Sequence, residues 1–118
     1  MKRTDPFLLA DILDAINEIQ ETTPSQREDF CANKLVQSHV LRHIQIIGEA
    51  VSRLSNGLKA QHAHLPWHAI VHDYFEIDWN EVFDTAIRDI PPLQQQVRDI
   101  LHAIAPDMID GDGTKEEK

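Results

Sequence analysis

Apolar residues recur every three or four positions along most of the chain, which is the spacing of one face of an α-helix. The first such stripe comprises Phe7, Leu8, Ile12, Leu13, Ile16 and Ile19. Asp5 is placed to cap this helix, and Pro6 follows at the first helical position, where a proline's missing N–H costs nothing. The pattern therefore predicts an amphipathic helix near the start of the chain.

A second and longer stripe predicts one helix over about residues 26–55. It comprises Val36, Val40, Ile44, Ile47, Val51 and Leu54. Ser25 and Glu28 have the spacing of a capping box at its start. Asn56-Gly57 is a typical stop signal at its end, and residues 58–66 are expected to form a loop.

Three further helices are predicted in the second half. Pro66 opens a short one, and Asp78 caps another that runs from Trp79 to about Ile90. Pro91 and Pro92 break the chain before a last helix, which Pro106 ends. The apolar positions of these last two helices are Val82, Phe83, Ala86, Ile90, Leu93, Val97, Ile100, Leu101 and Ile104.

No alternating pattern typical of a β-strand is present. The predicted fold is an all-α, up-and-down bundle of four to five helices in residues 1–105, followed by a disordered acidic tail in residues 106–118.

Charge and composition restrict the class of protein. The chain has 20 acidic and 11 basic residues, a net charge of −9. This balance argues against a broad nucleic-acid-binding surface, although a small cationic cleft stays compatible with it. Cys31 is the single cysteine, and no apolar run approaches the length of about 18 residues that a membrane span needs. A cytoplasmic protein without disulfides is expected.

The segment HDYF, residues 72–75, carries candidate chemistry. Histidine has an unperturbed pKa of about 6.5, so His72 can act as a general base or acid near neutral pH. Tyr74 adds a phenol two residues later. Spacing alone favours the alternative that both side chains only border the helical core.

Four histidines also raise the question of a metal. They are His62, His64, His68 and His72, of which the last two are four residues apart and would share one face of a helix. No cysteine or acidic partner stands at a recognised spacing, and the HExxH motif of zinc enzymes is absent. A solvated set of histidines is the favoured interpretation, and no metal site is predicted.

The long predicted helix also presents polar residues. Glu49 and Arg53 are four residues apart and can pair, and Arg42 lies on nearly the same face. These three residues form either a solvated stripe or one side of a polar cleft.

Several segments together resemble the HepT-type HEPN proteins, the toxin half of bacterial HEPN/MNT toxin–antitoxin pairs. The segments are LLADILDAINEI, LRHIQIIGEAVSRLS, LPWHAI, HDYFEID and EVFDTAIRDIPPL, in this order. The resemblance implies a helical homodimer that acts as a metal-independent endoribonuclease on RNA without a cofactor. It places His72 in proton transfer, and Tyr74 at the position to which a nucleotidyltransferase antitoxin attaches AMP. Asp73, Arg42, Glu49 and Arg53 would be supporting residues of the cleft.

The chain departs from the family pattern at one point. Family members read approximately PWxxIxGMRNxLIHxYF, whereas this chain reads PWHAIVHDYF. About seven residues, including the motif arginine that would hold the phosphate, are missing before His72. Seven residues are close to two helical turns, so the fold can survive the deletion. Because the arginine that would hold the phosphate is missing, impaired catalysis is expected.

The alternatives to an impaired ribonuclease are a non-catalytic dimeric helical interaction protein and a metal-dependent enzyme that uses the four histidines.

Overall fold

In the computed structural model, residues 4–65 and 77–108 are described, and they form an all-α bundle. The helices are α1 (Asp5–Thr22), α2 (Arg27–Cys31), α3 (Lys34–Arg53), α4 (Asn56–Gln61), α5 (Trp79–Asp84) and α6 (Ile90–Ile104), with a π-helical turn (Thr85–Asp89) between the last two. The described ranges contain no strand. The predicted fold class is confirmed.

The core lies between α1, α3 and α6, because α1 packs against both of the other long helices. The predicted stripes supply most of it. Fully buried side chains include Leu9, Ile12, Ile16, Ile19, Phe30, Val40, Ile47, Val51, Val82 and Val97. Phe7 and Ile104, at the ends of their stripes, are instead about half exposed, at 52% and 43%.

The start of α1 differs from the prediction. Thr4 is the N-cap, without a side-chain hydrogen bond, and Asp5 lies in the first turn. The Asp5 carboxylate accepts hydrogen bonds from the main-chain N–H of Ser55 at 2.9 Å and from its hydroxyl at 2.6 Å. Asp5 therefore joins the start of α1 to the end of α3 instead of capping its own helix.

The single long helix predicted over residues 26–55 is wrong, because the chain breaks at Ala32 and Asn33. The Asn33 side chain caps α3 by accepting from the N–H of Val36 at 3.1 Å. The buried Gln37 side chain donates to the main-chain oxygen of Cys31 at 2.9 Å, which satisfies a carbonyl at the end of α2. The capping box at Ser25 is also wrong, since Gln26 precedes α2 and makes no side-chain cap.

Residues 56–61 form α4 where a stop and a loop were expected. The Ser55 hydroxyl accepts from the N–H of Leu58 at 3.2 Å and so caps this short helix. Leu58 is buried, and a Cβ added at Gly57 would meet no other atom within 4 Å. The Asn56-Gly57 pair therefore begins a helix, because a serine cap precedes it and an apolar anchor follows it.

The prediction of an N-cap at Asp78 is confirmed, since its carboxylate accepts from the N–H of Asn80 at 3.0 Å. The break expected at Pro91-Pro92 does not occur. The prolines lie in the first turn of α6, where their missing N–H groups are tolerated. The N–H of Ile90 donates to the carbonyl of Thr85, so a π-helical turn carries the chain from α5 into α6.

The short α2 is fastened to α5 by Arg27. Its guanidinium donates to the Asp84 carboxylate at 2.7 Å and to the Asn80 side chain at 3.2 Å. It also lies 4.9 Å from the centre of the Phe83 ring, within cation–π range. Below it, Phe30 packs against Phe83 with 5.5 Å between ring centres. Five residues would not form a stable helix alone, so these contacts hold α2 in place.

Two predictions lie outside the described residues. The short helix expected from Pro66 is one, and most of the tail is the other. Residues 106–108 form a further helical turn, in which Met108 is partly buried against the core. Within the described ranges, no helix combines the length and the apolar character needed to cross a membrane.

Candidate functional site

The predicted catalytic segment, with His72, Asp73 and Tyr74, lies outside the described residues, as does His68. The other three predicted supporting residues, Arg42, Glu49 and Arg53, are described and lie on α3. The site can therefore be built from the helix that carries Arg42, Glu49 and Arg53.

A groove with a volume of about 610 Å³ separates the polar faces of α1 and α3. It is lined by Leu8, Asp11, Asp14, Ala15, Asn17, Glu18, Glu21, His43, Ile46, Glu49, Ala50 and Arg53. Its floor is apolar, because Leu8, Ala15 and Ala50 belong to the core. We call this cavity the α1–α3 groove.

Glu49 and Arg53 both line the α1–α3 groove, as expected for a polar cleft. A guanidinium nitrogen of Arg53 lies 3.5 Å from a carboxylate oxygen of Glu49. Both side chains are more than half exposed, so the pair is a weak one that a ligand can displace. Arg42 is exposed on the same helix but is not among the lining residues. Of the three supporting residues that the structure describes, it thus brings together Glu49 and Arg53 in one groove.

The charge of the α1–α3 groove is negative. Five of its lining residues are carboxylic acids, and among the described lining residues Arg53 is the single arginine or lysine. Such a surface repels the phosphates of RNA. The described part of the groove therefore has little electrostatic attraction for the phosphates of RNA.

A cluster that sequence reasoning missed lies at the same helix pair. Ligand atoms of Glu18, His39 and His43 all lie within 4.8 Å of one another. Glu18 comes from α1, and the two histidines are one turn apart on α3, with ring centres 4.3 Å apart. The spacing HVLRH was a sequence signal for this pair, whereas nothing in the sequence places Glu18 beside it.

The histidines considered for a metal in the sequence are arranged differently. The rings of His62 and His64 lie 5.9 Å apart beyond the end of α4. Within the described residues, neither belongs to a group of three metal-ligating side chains.

Comparison with known proteins assigns the chain to a family. The family model of HepT-like ribonucleases matches residues 12–100. A probable ribonuclease HepT of Thermococcus cleftensis is 36% identical over 80% of this chain and 93% of its own length. A candidate RNase of Caldanaerobacter subterraneus subsp. tengcongensis is 29% identical over 86% of this chain and 96% of its own.

A third relative is larger. A gamma-glutamylcyclotransferase and candidate RNase of Methanocaldococcus jannaschii is 30% identical over 88% of this chain, which spans half of that protein's length. No solved structure matches the chain significantly. Because the family model covers most of the helical bundle, the chain belongs to the HepT-like ribonuclease family.

Proposed function

We propose that this chain is the scaffold of a metal-independent endoribonuclease in which His72 serves in proton transfer. The observation that carries the proposal is the family match over residues 12–100, since that range includes His72 and Tyr74. In the reaction, a ribose 2′-oxygen forms a bond to the adjacent phosphorus while the bond to the 5′-oxygen breaks. His72 takes the proton of the 2′-hydroxyl or supplies one to the leaving oxygen.

We further propose that the chain as it stands cleaves RNA poorly. Cleavage builds negative charge on the phosphate, and a positioned donor for such charge is worth about 10²- to 10³-fold in rate. The motif arginine is absent from the segment before His72. The negative charge of the α1–α3 groove supports the proposal, because that groove offers RNA little compensation.

The biological role proposed is that of a cytoplasmic toxin controlled by modification. Family resemblance supports a homodimer whose cleft contains both copies of the catalytic segment. It also supports a nucleotidyltransferase partner that transfers AMP to the Tyr74 hydroxyl. The added phosphate and adenine would cover the cleft and exclude RNA.

The proposal is tested with three proteins. One is this chain, and the second carries Gly-Met-Arg-Asn-Ala-Leu-Ile inserted between Val71 and His72. The third carries the same insertion with alanine in place of the arginine. Initial rates of cleavage of a labelled RNA are measured with excess chelator present.

The arginine insertion is expected to cut at least a hundredfold faster than both other proteins, and His72→Ala in that background should abolish the gain. Equal rates for all three would show that the arginine is dispensable, so the proposed mechanism would be wrong. Equal rates for the two insertion proteins, both above this chain, would assign the defect to helix length.

A second candidate function is a non-catalytic dimeric interaction protein. The net charge of −9 and the missing arginine favour it. Light scattering after size-exclusion chromatography tests for the dimer. Strong cleavage by the unmodified chain that His72→Ala removes would rule this function out.

If the unmodified chain does cut RNA, Arg42 or Arg53 is the proposed substitute for the motif arginine. Both lie on α3, and both are exposed. Arg42→Ala and Arg53→Ala are therefore assayed separately, with Arg98→Ala, an exposed arginine on α6, as control. Unchanged rates in both α3 variants would remove the idea.

A further inference from the structure

We propose that Glu18, His39 and His43 form a binding site for a divalent transition-metal ion that joins α1 to α3. One ligand atom from each residue lies within 4.8 Å of those of the other two. Two imidazoles and one carboxylate form a ligand set that zinc sites use, with the fourth position left to water. None of the three is a residue that the proposed cleavage of RNA requires.

A main-chain carbonyl orients the His43 ring in a way that suits metal binding. Its Nδ1 lies 2.8 Å from the carbonyl oxygen of His39. A carbonyl oxygen can only accept, so Nδ1 carries the proton and the neutral ring has its lone pair on Nε2. Metal-binding histidines commonly donate their other ring nitrogen to a carbonyl in this way, which fixes both tautomer and orientation.

His39 and Glu18 already face each other. Nε2 of His39 lies 3.1 Å from a carboxylate oxygen of Glu18, and both side chains are at least one third exposed. Binding at Nε2 requires the ring proton to sit on Nδ1, which the other neutral tautomer allows. In a tetrahedral site with bonds of about 2.0–2.2 Å, ligand atoms are about 3.4 Å apart. The ligand atoms, now within 4.8 Å of one another, reach this spacing by rotation of the three side chains, none of which is buried.

The surroundings favour a cation of this class. Glu18 and His43 line the α1–α3 groove, whose other acids include Asp14 and Glu21, one turn before and after Glu18. Their negative potential raises the local cation concentration. Two imidazole ligands select Zn²⁺, Cu²⁺, Ni²⁺ or Co²⁺ over Mg²⁺ and Ca²⁺, which prefer oxygen ligands alone.

The test measures binding by the full chain, purified with its affinity tag removed and dialysed free of metal. Zn²⁺ binding is followed by titration calorimetry, and Co²⁺ binding by its visible absorption. One ion per chain is expected, and Mg²⁺ should not compete. Because the ion binds the folded state, the melting temperature should rise by roughly 10 °C at about a hundred times the dissociation constant.

Variants locate the ion. His39→Gln and His43→Gln should each weaken Zn²⁺ binding at least tenfold, since loss of a mere supporting partner costs about 10- to 100-fold. Glu18→Gln should also weaken it while keeping a hydrogen-bonding side chain at that position. The matched controls are the double variants His62→Gln/His64→Gln and His68→Gln/His72→Gln, which should bind as the unmodified chain does.

Three results would overturn the proposal. One is the lack of stoichiometric binding by the unmodified chain. Another is unchanged affinity in the His39→Gln/His43→Gln double variant. The third is loss of binding in either control pair alone. Since the readouts are affinity and melting temperature, a failed RNA cleavage test leaves this proposal standing, and the reverse also holds.

Discussion

The pair of helices α1 and α3 presents two contrasting regions, a buried apolar interface and the open α1–α3 groove. The interface is closed by side chains such as Ile12, Ile16, Ile47 and Val51, all with at most 1% exposure. The groove is lined by five carboxylic acids and one arginine, so its charged side chains are mostly negative. The apolar interface stabilises the fold, and the exposed side chains of the α1–α3 groove can change in charge without destabilising it. A family can therefore keep the bundle while its polar residues change.

The largest effect on stability is expected from truncation in the apolar interface. Ile47→Ala removes a fully buried side chain and leaves a cavity, so the free energy of unfolding should fall by about 2–5 kcal/mol. Denaturant melts measure it. Glu49→Ala, two residues away on the exposed face of α3, is the control and should change stability by less than about 0.5 kcal/mol. Similar losses in both variants would contradict the contrast between the two regions.

A smaller effect is expected where the two helices are joined by polar groups. Asp5→Ala removes the acceptor of two hydrogen bonds from Ser55, at 2.9 and 2.6 Å. Because the acceptor is charged but only partly buried, the free energy of unfolding should fall by about 1–2 kcal/mol in the same melts. Asp5→Asn keeps one acceptor oxygen and should lose less. If Asp5→Ala were neutral, the junction between α1 and the end of α3 would be held by packing alone.

The start of α3 should show an effect of about 1 kcal/mol. Asn33→Ala removes the side-chain cap on the N–H of Val36. Asn33→Asp keeps an acceptor and should restore most of the stability. A loss of the same size in both variants would mean that the break before α3 does not depend on the cap.

The smallest effect is expected within the α1–α3 groove. A double-mutant cycle with Glu49→Ala and Arg53→Ala measures the coupling between two exposed side chains that are 3.5 Å apart. An exposed pair four residues apart on a helix contributes about 0.3–0.5 kcal/mol, and salt weakens it. A coupling above about 1 kcal/mol that persists in 1 M salt would show that the groove is a structural element like the interface.

Hydrophobic spacing predicted the positions of the long helices and their buried faces, as Ile44 and Val97 illustrate. It failed where a polar side chain decides a boundary. The cap at Asn33 divides the predicted long helix, and the cap at Ser55 starts α4 within an expected loop. Each cap stabilises a helix start by only about 1 kcal/mol. The spacing of apolar residues does not report on this contribution, because the capping side chain is polar.

The candidate site was predictable to a different extent. The sequence alone reveals the segment with His72 and Tyr74 and the gap before it. The family match over residues 12–100 supports the predicted membership of the HepT-like family. The supporting role expected for Arg42 differs from that of Glu49 and Arg53, because it does not line the α1–α3 groove. Arg42 and Glu49 are seven residues apart, so they lie within about 20° of the same helix face but about 10 Å apart along the helix axis.

The sequence by itself determined that the chain is helical and which faces of the helices are buried, because burial repeats with the period of the helix. Only the tertiary structure decided which residues from different helices meet. Asp5 contacts Ser55, and Glu18 lies beside His39, 21 residues further along the chain. The physical reason is that a helix fixes the direction of each side chain relative to its own axis, while packing between helices fixes what that side chain faces.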